Sequence, residues 1–505
     1  MPDLSLVAAT TRTATFLLTP PGTRHALDRP VAWRLEDAEG GAVAQGTARA
    51  APLFVEGLSP ATRYRLKTEL GGLDFETEAC AGTVDAADHG VGPEVRDNAP
   101  ALARALAALP EGGTLVLPRG VLACGPLRLR PRVTLWLPEG CTLAARGDRE
   151  GWPILPARDA RGRVLGTWEG LPEPSFAAPL TGIDCHGLTL TGRGTLDAGG
   201  DRGDWWDWPK ETRDGARRPR ALFLAHSDDV RITGLTVRNA PSWTVHPYRC
   251  DRLLAAALTI RNPHDSPNTD GFNPESCRGA RLLGLDISVG DDCIAVKAGK
   301  RGAAGEDGHL APTHDLQIAH CRMARGHGAV VLGSEMSGDI TGVTIRDCTF
   351  EGTDRGLRVK TRRGRGGRVS GIRLDRVEMQ GVATPVAVNA FYFCDPDGRS
   401  DAVQSRSPAL VGTGTPRIAD IALTDVTATG AGPAGIAALG LPEAPITGLR
   451  LERVIIAFDP EARAAVPLMA LGVPAMRHVP LHSDHAEIVG TVETLPDQPT
   501  EAAWT

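Results

Sequence analysis

Three aspartates, a histidine and a basic tripeptide follow one another in an order that could carry out hydrolysis. Asp270 ends the tripeptide Asn-Thr-Asp, and the adjacent pair Asp291 and Asp292 follows 21 residues later. Downstream come His327, between two glycines, and the Arg-Val-Lys tripeptide 358–360. Carboxylates in close quarters cannot all ionise freely, so we expect one to hold a proton at a raised pKa. A protonated acid beside ionised partners can protonate a leaving oxygen and activate water, as glycoside hydrolysis requires.

The basic residues Arg358 and Lys360 indicate the charge of the ligand. They stand two positions apart, so a strand would point both side chains the same way. Two cations beside three carboxylates favour an anionic substrate, and a sugar carboxylate fits. Each motif alone has a plain structural explanation: a solvated Asp-Asp turn, a tight Gly-His-Gly turn, and a flexible basic loop at 363–367. Their joint occurrence in order favours the chemical interpretation.

A repeat of apolar residues predicts how such distant residues meet. From residue 183 onward, the pattern apolar-x-apolar-x-x-apolar-x-apolar recurs, with polar residues and glycine between the apolar positions. We call the third apolar position of each copy its anchor and measure the spacing between anchors. The anchors are Leu235, Leu258, Leu285, Cys321, Cys348, Val377, Val426 and Val454. Successive anchors are 23, 27, 36, 27, 29, 49 and 28 residues apart. This period predicts an all-β fold, a right-handed parallel β-helix with insertions in its loops.

A β-helix places equivalent positions of successive coils about 4.8 Å apart. Asp270 lies in one coil, the pair 291–292 in the next, His327 in the third and the tripeptide 358–360 in the fourth. We therefore expect all of them on one face. Adjacent aspartates point oppositely in a regular strand, so the backbone must bend there. We expect Gly290 to permit that bend through its conformational freedom.

A smaller unit precedes the β-helix. Residues 1–82 contain short strand-like runs broken by Pro-Gly and Gly-Gly turns, and Tyr64 stands four residues after Pro60. This pattern resembles the tyrosine corner of fibronectin type III domains, so we expect a small β-sandwich that serves as a packing spacer. Residues 83–505 then form the β-helix domain.

Other segments around the repeat have their own predictions. Leu102, Leu106 and Leu109 have helical spacing and predict a helix that covers the open first coil. Residues 146–181 and 198–219 do not fit the repeat, and long insertions on a solenoid usually wall a binding face. The second insertion carries three tryptophans that could either stack on sugar rings or pack the loop: Trp205, Trp206 and Trp208.

The overall composition excludes several classes of function. A net charge of −6 and a pI near 6.1 argue against nucleic acid as a partner. No apolar run approaches the roughly 20 residues that span a bilayer, so we expect a soluble protein. The N-terminal residues lack a signal-peptide pattern, which predicts a cytoplasmic protein, or a secreted or periplasmic one if a leader was trimmed. The ten cysteines stand singly and predict buried apolar residues, so we expect no metal and no cofactor. The oligomeric state stays open.

Together the motifs resemble glycoside hydrolase family 28, the polygalacturonases of pectin breakdown. The family pattern Asn-Thr-Asp, Gly-Asp-Asp, Gly-His-Gly and Arg-Ile-Lys occurs here with one change, Val359 for isoleucine. The resemblance covers roughly residues 85 to 460. It implies inverting hydrolysis of α-1,4-linked galacturonate, with an oligogalacturonate or pectin as the substrate.

The resemblance also implies the role of each site residue. Asp291 is the implied general acid, while Asp270 and Asp292 hold and activate the attacking water. His327 is implied to support the ionisation of the acid. The residues implied to bind substrate are Asn268, Arg358, Lys360 and Tyr392.

The mode of action is predicted from segments outside these motifs. The stretch 331–338, the basic loop and the N-terminal sandwich resemble bacterial exo-acting members, so we expect attack from the non-reducing end. Within the motifs, the resemblance implies homogalacturonan, not rhamnogalacturonan, because rhamnogalacturonan-cleaving relatives typically lack the residues that stand here as His327 and Arg358. The open alternatives are endo action, a decorated pectin such as xylogalacturonan or rhamnogalacturonan, a calcium-dependent pectate lyase, and a non-catalytic carbohydrate-binding solenoid.

Overall fold

The computed structural model describes residues 3–149 and 151–496, which form a small antiparallel sandwich followed by a long parallel β-helix. This arrangement confirms the predicted all-β fold class. Helical segments in the described residues are short: Ala86–His89, Ala99–Ala108, Trp205–Asp207 and Asp401–Gln404. None of them is long and apolar enough to cross a lipid bilayer.

The N-terminal sandwich consists of two small sheets. One contains Leu4–Ala9, Thr13–Leu18 and Pro52–Glu56, and the other contains Ala42–Ala50, Ala26–Asp37, Arg63–Thr68 and Gly71–Glu76. Tyr64 lies near the start of its strand, and its hydroxyl accepts a hydrogen bond from the backbone N–H of Ser59 at 2.9 Å. This is the bond of a tyrosine corner, as the sequence pattern predicted.

The sandwich is fixed to the β-helix by polar and apolar contacts. The Thr13 hydroxyl lies 2.8 Å from that of Thr191, and Trp136 donates a hydrogen bond to Glu56 at 3.1 Å. Leu17 packs with Leu254 in an apolar cluster that spans the interface. These contacts fit a packing spacer.

The longest sheet of the described residues runs the length of the β-helix and has 22 strands. They are Thr83–Asp85, Thr114–Val116, Gly120–Cys124, Thr134–Trp136, Cys141–Ala145, Thr189–Thr191, Thr195–Asp197, Arg231–Thr233, Thr236–Arg238, Leu254–Ala256, Thr259–Arg261, Arg281–Leu283, Asp286–Ser288, Thr313–Ala319, Arg322–Gly326, Ile340–Arg346, Thr349–Thr353, Arg368–Gln380, Arg417–Ala431, Ile446–Phe458, Ala486–Val489 and Val492–Thr494. Its register joins equivalent repeat positions, since Ile232 pairs with Ala255, Ala255 with Leu282 and Leu282 with Ile318.

A second face of the β-helix is made of two shorter sheets. The first contains Leu127–Arg128, Leu180–Ile183, Leu222–Ala225 and Val245–Tyr248. The second contains Asp292–Val296, Gly328–Gly333, Arg355–Lys360, Thr384–Asn389, Ala434–Leu439 and Val479–Asp484. The coil that follows Asp270 joins them, because Phe272 pairs with Val245 on one side and with Ile294 on the other. The chemistry-bearing motifs therefore share a continuous face.

The core between these faces is apolar. Cys277, Cys293, Cys321 and Cys348 are fully buried in it, as predicted. The helix Ala99–Ala108 buries Leu102 and Leu106 against the first coils.

The insertions have a small core of their own. Two short strand pairs brace the first insertion: Ile154–Leu155 with Ser175–Phe176, and Thr167–Trp168 with Leu171–Pro172. Trp205 and Trp208 are fully buried and pack with Trp152 and Phe176. The indole of Trp206 donates to the carbonyl of Ala240 at 3.0 Å. The tryptophans thus pack the loop, which was the plainer of the two interpretations.

Candidate active site

The three aspartates converge because their coils stack directly. The N–H of Gly271 donates to the carbonyl of Asp292, and the N–H of His327 to that of Asp291, both at 2.9 Å. One cleft is lined by six of the residues predicted from the sequence: Asn268, Asp270, Asp291, Asp292, Lys360 and Tyr392. His327 and Arg358 lie beside it, in contact with Asp291 and Asp292 respectively.

The bend that lets both adjacent aspartates reach the cleft occurs at Gly290 and Asp291, and the strand begins only at Asp292. Our expected reason for the glycine was wrong, because Gly290 does not take a positive φ. A Cβ there would lie 2.3 Å from the carbonyl oxygen of Ser266 and 2.8 Å from that of Pro263. Gly290 therefore provides space for two loops to touch, not backbone freedom.

Both glycines of the Gly-His-Gly motif are also required for steric reasons. Gly326 has a φ of 138°, and a Cβ there would lie 2.5 Å from the carbonyl oxygen of Asp291. A Cβ on Gly328 would lie 2.4 Å from Val331 and 3.2 Å from the carboxylate of Asp292. These glycines let the coils approach closely on either side of the histidine.

Asp292 is the anchored, ionised aspartate. Lys360 donates to its Oδ2 at 2.7 Å, and the Arg358 guanidinium lies 3.4 Å from its Oδ1. Burial raises the pKa of this carboxyl, but the charges of Lys360, Arg358 and Lys297 outweigh burial and hold its pKa below the ordinary value. A carboxylate held in this state stays ionised and can accept a hydrogen bond from water.

Asp270 has the opposite electrostatic environment. Asn273 donates to its Oδ2 at 2.8 Å, and the nearest ammonium, Lys297, is 3.9 Å away. Burial, followed by the negative charge of Asp291, raises its pKa well above the ordinary value, and the attraction of Lys297 does not offset this. Asp270 therefore has the raised pKa that the clustered carboxylates predicted for one of them.

Asp291 is the most accessible of the three. Its side chain is 24% exposed, against 4% for Asp270 and 1% for Asp292. Oδ1 of Asp291 lies 3.3 Å from Nδ1 of His327, and this contact raises the pKa of the imidazole to about 8 although burial opposes it. Asp291 can therefore reach a substrate that binds in the cleft.

Arg358 and Lys360 point to the same side of their strand, since both contact Asp292. They also lie over the ring of Tyr392, 5.9 and 5.4 Å from its centre. Burial raises the pKa of the Tyr392 phenol, so the hydroxyl stays neutral and can donate to an anion.

Asn268 is held by a residue that sequence reasoning missed. Its side-chain oxygen accepts from Arg218 at 2.7 Å, and Arg218 also donates to the carbonyls of Pro209, Pro241 and Pro267. Burial lowers the pKa of the Arg218 guanidinium to about 9. Arg218 thus fastens the second insertion to the Asn-Thr-Asp loop. No local motif in the sequence signals this role.

A second missed pair lies next to Asp270. Lys297 donates to Glu335 at 2.7 Å, and its ammonium lies 5.0 Å over the ring of Trp243. Burial raises the pKa of Glu335, but the charge of Lys297 dominates and lowers it to about 2. The available signals were the concentration of three of the five lysines near the motifs and the unusual stretch 331–338.

The basic loop after Lys360 is not flexible, so that structural explanation was wrong. Within the loop 363–367, Arg365 is buried and donates to Asp395 at 2.5 Å, and Arg362, which precedes the loop, donates to Asp395 at 2.7 Å. Lys300 donates to the same carboxylate at 2.8 Å. The loop is a braced part of the cleft rim. Across the described ranges, no group of three or more His, Cys, Asp or Glu side chains is arranged to hold a metal ion.

Sequence comparisons agree with the geometry. The profile of glycosyl hydrolases family 28 matches residues 173–465. A probable polygalacturonase of Vitis vinifera is 32% identical over 358 residues, which are 70% of this chain and 69% of that protein. An endo-polygalacturonase of Pectobacterium carotovorum is 29% identical over 54% of this chain and 66% of its own length, and an exopolygalacturonase of Zea mays is 25% identical over 54% and 62%. The matched segment thus spans about two thirds of each relative.

Solved structures share the fold. The exopolygalacturonase of Thermotoga maritima aligns with a TM-score of 0.66 at 21% identity, over 82% of this chain and 91% of that one. The family 28 exopolygalacturonase of Yersinia enterocolitica aligns with a TM-score of 0.62 at 16% identity, over 97% and 98%. With the matched profile, the Vitis vinifera relative and the resemblance of the motifs, the conclusion is plain: the chain belongs to glycosyl hydrolases family 28.

Proposed function

We propose that the enzyme hydrolyses α-1,4-galacturonosidic bonds in oligogalacturonates or pectate, with inversion, from the non-reducing end. The observation that carries the proposal is the meeting of three aspartates with the Lys360 cation in a single cleft, with Arg358 beside it in contact with Asp292. Acid and base groups are what glycoside hydrolysis needs, and the cations suit a sugar acid. The similarity to polygalacturonases supports galacturonate as that acid.

In this proposal Asp291 protonates the leaving oxygen, and Asp270 and Asp292 hold and activate the water. His327 supports the charge state of Asp291. The accessible position of Asp291 supports its role as acid. Arg358 and Lys360 bind the substrate carboxylate in this proposal, and Asn268 and Tyr392 also contact the substrate.

Exo action is supported by the insertions. Each of the two contributes a charged side chain to the cleft, Glu169 from the first and Lys210 from the second. Both insertions precede Asp270 in the order of the coils. A cleft walled at this end admits the end of a chain, whereas an open cleft admits its middle.

Product analysis on tri- and tetragalacturonate tests the proposal. We expect monomer or dimer alone from the native enzyme, and loss of most turnover in Asp291→Asn with substrate binding retained. Products of mixed length would establish endo action, and unsaturated products that depend on calcium would establish a lyase. Unchanged behaviour of Asp291→Asn would favour a binding protein.

A further inference from the structure

The first insertion presents Glu169 at the tip of a tight hairpin. Thr167–Trp168 pairs with Leu171–Pro172, and the two turn residues both have positive φ, 45° at Glu169 and 79° at Gly170. The tip is pinned to the cleft, since the carbonyl of Gly170 accepts a hydrogen bond from the N–H of Lys300 at 3.0 Å. A Cβ on Gly170 would lie 2.7 Å from that nitrogen, so the approach requires glycine. The Glu169 side chain therefore has a fixed origin at the cleft.

The second insertion brings Lys210 to the same place, and its ammonium pairs with the Glu169 carboxylate. Arg217 joins the two insertions by donating to the Lys210 carbonyl and to the Glu173 carboxylate, each at 2.5 Å. Arg218 holds the neighbouring carbonyl of Pro209 at 3.0 Å. The pair thus sits on two braced segments.

The solvent exposure of its side chains distinguishes the pair of Glu169 and Lys210 from the other lysine–carboxylate pairs of the cleft. The side chains of Lys297, Lys300 and Lys360 are 15% exposed or less, and each has a carboxylate partner that is 10% exposed or less. Lys210 is 64% exposed and Glu169 is 30% exposed. An accessible ion pair contributes little to stability, so a ligand can replace its internal contact at low cost. Of these lysines, Lys210 is the one free to exchange its partner.

We propose that Glu169 and Lys210 recognise the non-reducing terminal galacturonate, and so determine that the enzyme acts at chain ends. This inference rests on the function proposed above. The terminal sugar carries a free hydroxyl at C4 and a carboxylate on the adjacent ring carbon. Glu169 accepts a hydrogen bond from the hydroxyl, and Lys210 donates to the carboxylate. An interior sugar has a glycosidic bond at C4 in place of the hydroxyl, so it has no hydrogen to donate to Glu169. The next sugar of the chain would also run into the hairpin tip.

Two trisaccharides test the inference: trigalacturonate, and its counterpart whose non-reducing residue has a C4–C5 double bond and no C4 hydroxyl. A site that bonds a hydroxyl strongly rejects an analogue without it, so we expect wild-type kcat/KM to favour the saturated sugar by about 100-fold or more. Glu169→Ala should reduce this preference to about tenfold or less. Lys210→Met should raise KM for both sugars.

The matched controls are Glu211→Gln, an exposed acid on the second insertion, and Lys67→Met, an exposed lysine of the sandwich. Both should keep the wild-type preference and KM, and melting curves verify that every variant folds. A wild-type preference in folded Glu169→Ala, or none in the native enzyme, overturns the inference. No hydrolysis of trigalacturonate by the native enzyme would instead refute the proposed function.

Discussion

The imidazole Nδ1 of His327 lies 3.3 Å from Oδ1 of Asp291, across two coils whose main chains are joined by a 2.9 Å hydrogen bond between the same two residues. The side-chain contact raises the pKa of His327 from 6.5 to about 8, against the effect of burial. Asp291 therefore faces an imidazolium at neutral pH. The stabilisation that the protonated His327 contributes is fully present below the ordinary histidine pKa and is lost as the pH rises through 8.

We expect the His327 imidazole to titrate with a midpoint near pH 8 in an NMR titration, and kcat/KM to fall above that pH. Asp291→Asn removes the charge that raises this pKa, so the midpoint should move down while burial continues to lower it. His226, which bonds the carbonyl of Val164 and does not line the cleft, is an internal reference whose midpoint should not move. A His327 midpoint that is the same with and without Asp291 would contradict the pairing.

Asp270 and Asp292 should respond oppositely to replacement by asparagine. The pKa of Asp270 is raised, so its charged form opposes folding at every pH above the ordinary value of 3.8. Asp270→Asn should therefore raise the melting temperature at pH 7, and the gain should vanish near pH 3. Asp292→Asn leaves Arg358 and Lys360 without their shared carboxylate and should cost about 3–5 kcal/mol at pH 7.

Calorimetry between pH 3 and 8 measures both effects. Because the pKa of Asp292 is lowered, its contribution is present above the ordinary value and lost as the pH falls below it, so the cost of Asp292→Asn should also shrink in acid. Both variants should lose most turnover. If both substitutions destabilise equally at pH 7, the assigned charge states are wrong.

Much of the scaffold could be predicted from the sequence because a solenoid repeats a local pattern. The anchors at Leu235, Leu258 and Leu285 are fully buried, and the strands that flank them pair in the register of the repeat. That register turns a spacing of 21 residues between Asp270 and Asp291 into direct stacking of their coils.

The rest of the site could not be predicted, because it depends on loops whose paths no repeat determines. The pair Lys297 and Glu335 and the pair Glu169 and Lys210 each join segments 38 or more residues apart. Their residue types are common on any surface. The need for glycine at position 290 likewise arises from the loop at Ser266, which the local sequence does not reveal.

Substitution of Lys297 and substitution of Glu335 should shift the pH profile of kcat/KM in opposite directions. Lys297 lowers the pKa of Asp270, while Glu335 holds the same ammonium 2.7 Å away and weakens that effect. Lys297→Met should therefore move the acid limb of kcat/KM to higher pH, because Asp270 must ionise to act on water. Glu335→Gln removes the competing carboxylate, so the Lys297 ammonium lowers the pKa of Asp270 further. This variant should therefore move the acid limb to lower pH.

Steady-state rates on trigalacturonate across the acid range provide the measurement. Lys67→Met, in the N-terminal sandwich, serves as the control and should leave the profile unchanged. A purely structural role for the pair would reduce the rate at every pH without moving the limb. Shifts in the same direction for both variants would also count against the assignment.

Gly290→Ala should displace the catalytic pair by a purely steric effect. Its Cβ would lie 2.3 Å from the carbonyl oxygen of Ser266, a backbone atom that cannot rotate away. Either loop must move, and overpacking of this kind costs about 1–3 kcal/mol. Because a shift of about 1 Å can reduce a rate 100-fold, we expect kcat to fall about that much while the β-helix stays folded.

Gly308→Ala is the matched control, since a Cβ at Gly308 meets no atom within 4 Å. It should keep wild-type kcat and melting temperature. Rates on trigalacturonate, with circular dichroism to verify the fold, decide the outcome. Wild-type activity in Gly290→Ala would mean that the two loops separate without moving Asp291 and Asp292, and that their contact does not position the site. A loss confined to KM would place the displacement at the substrate-binding side chains and leave the carboxylates where they are.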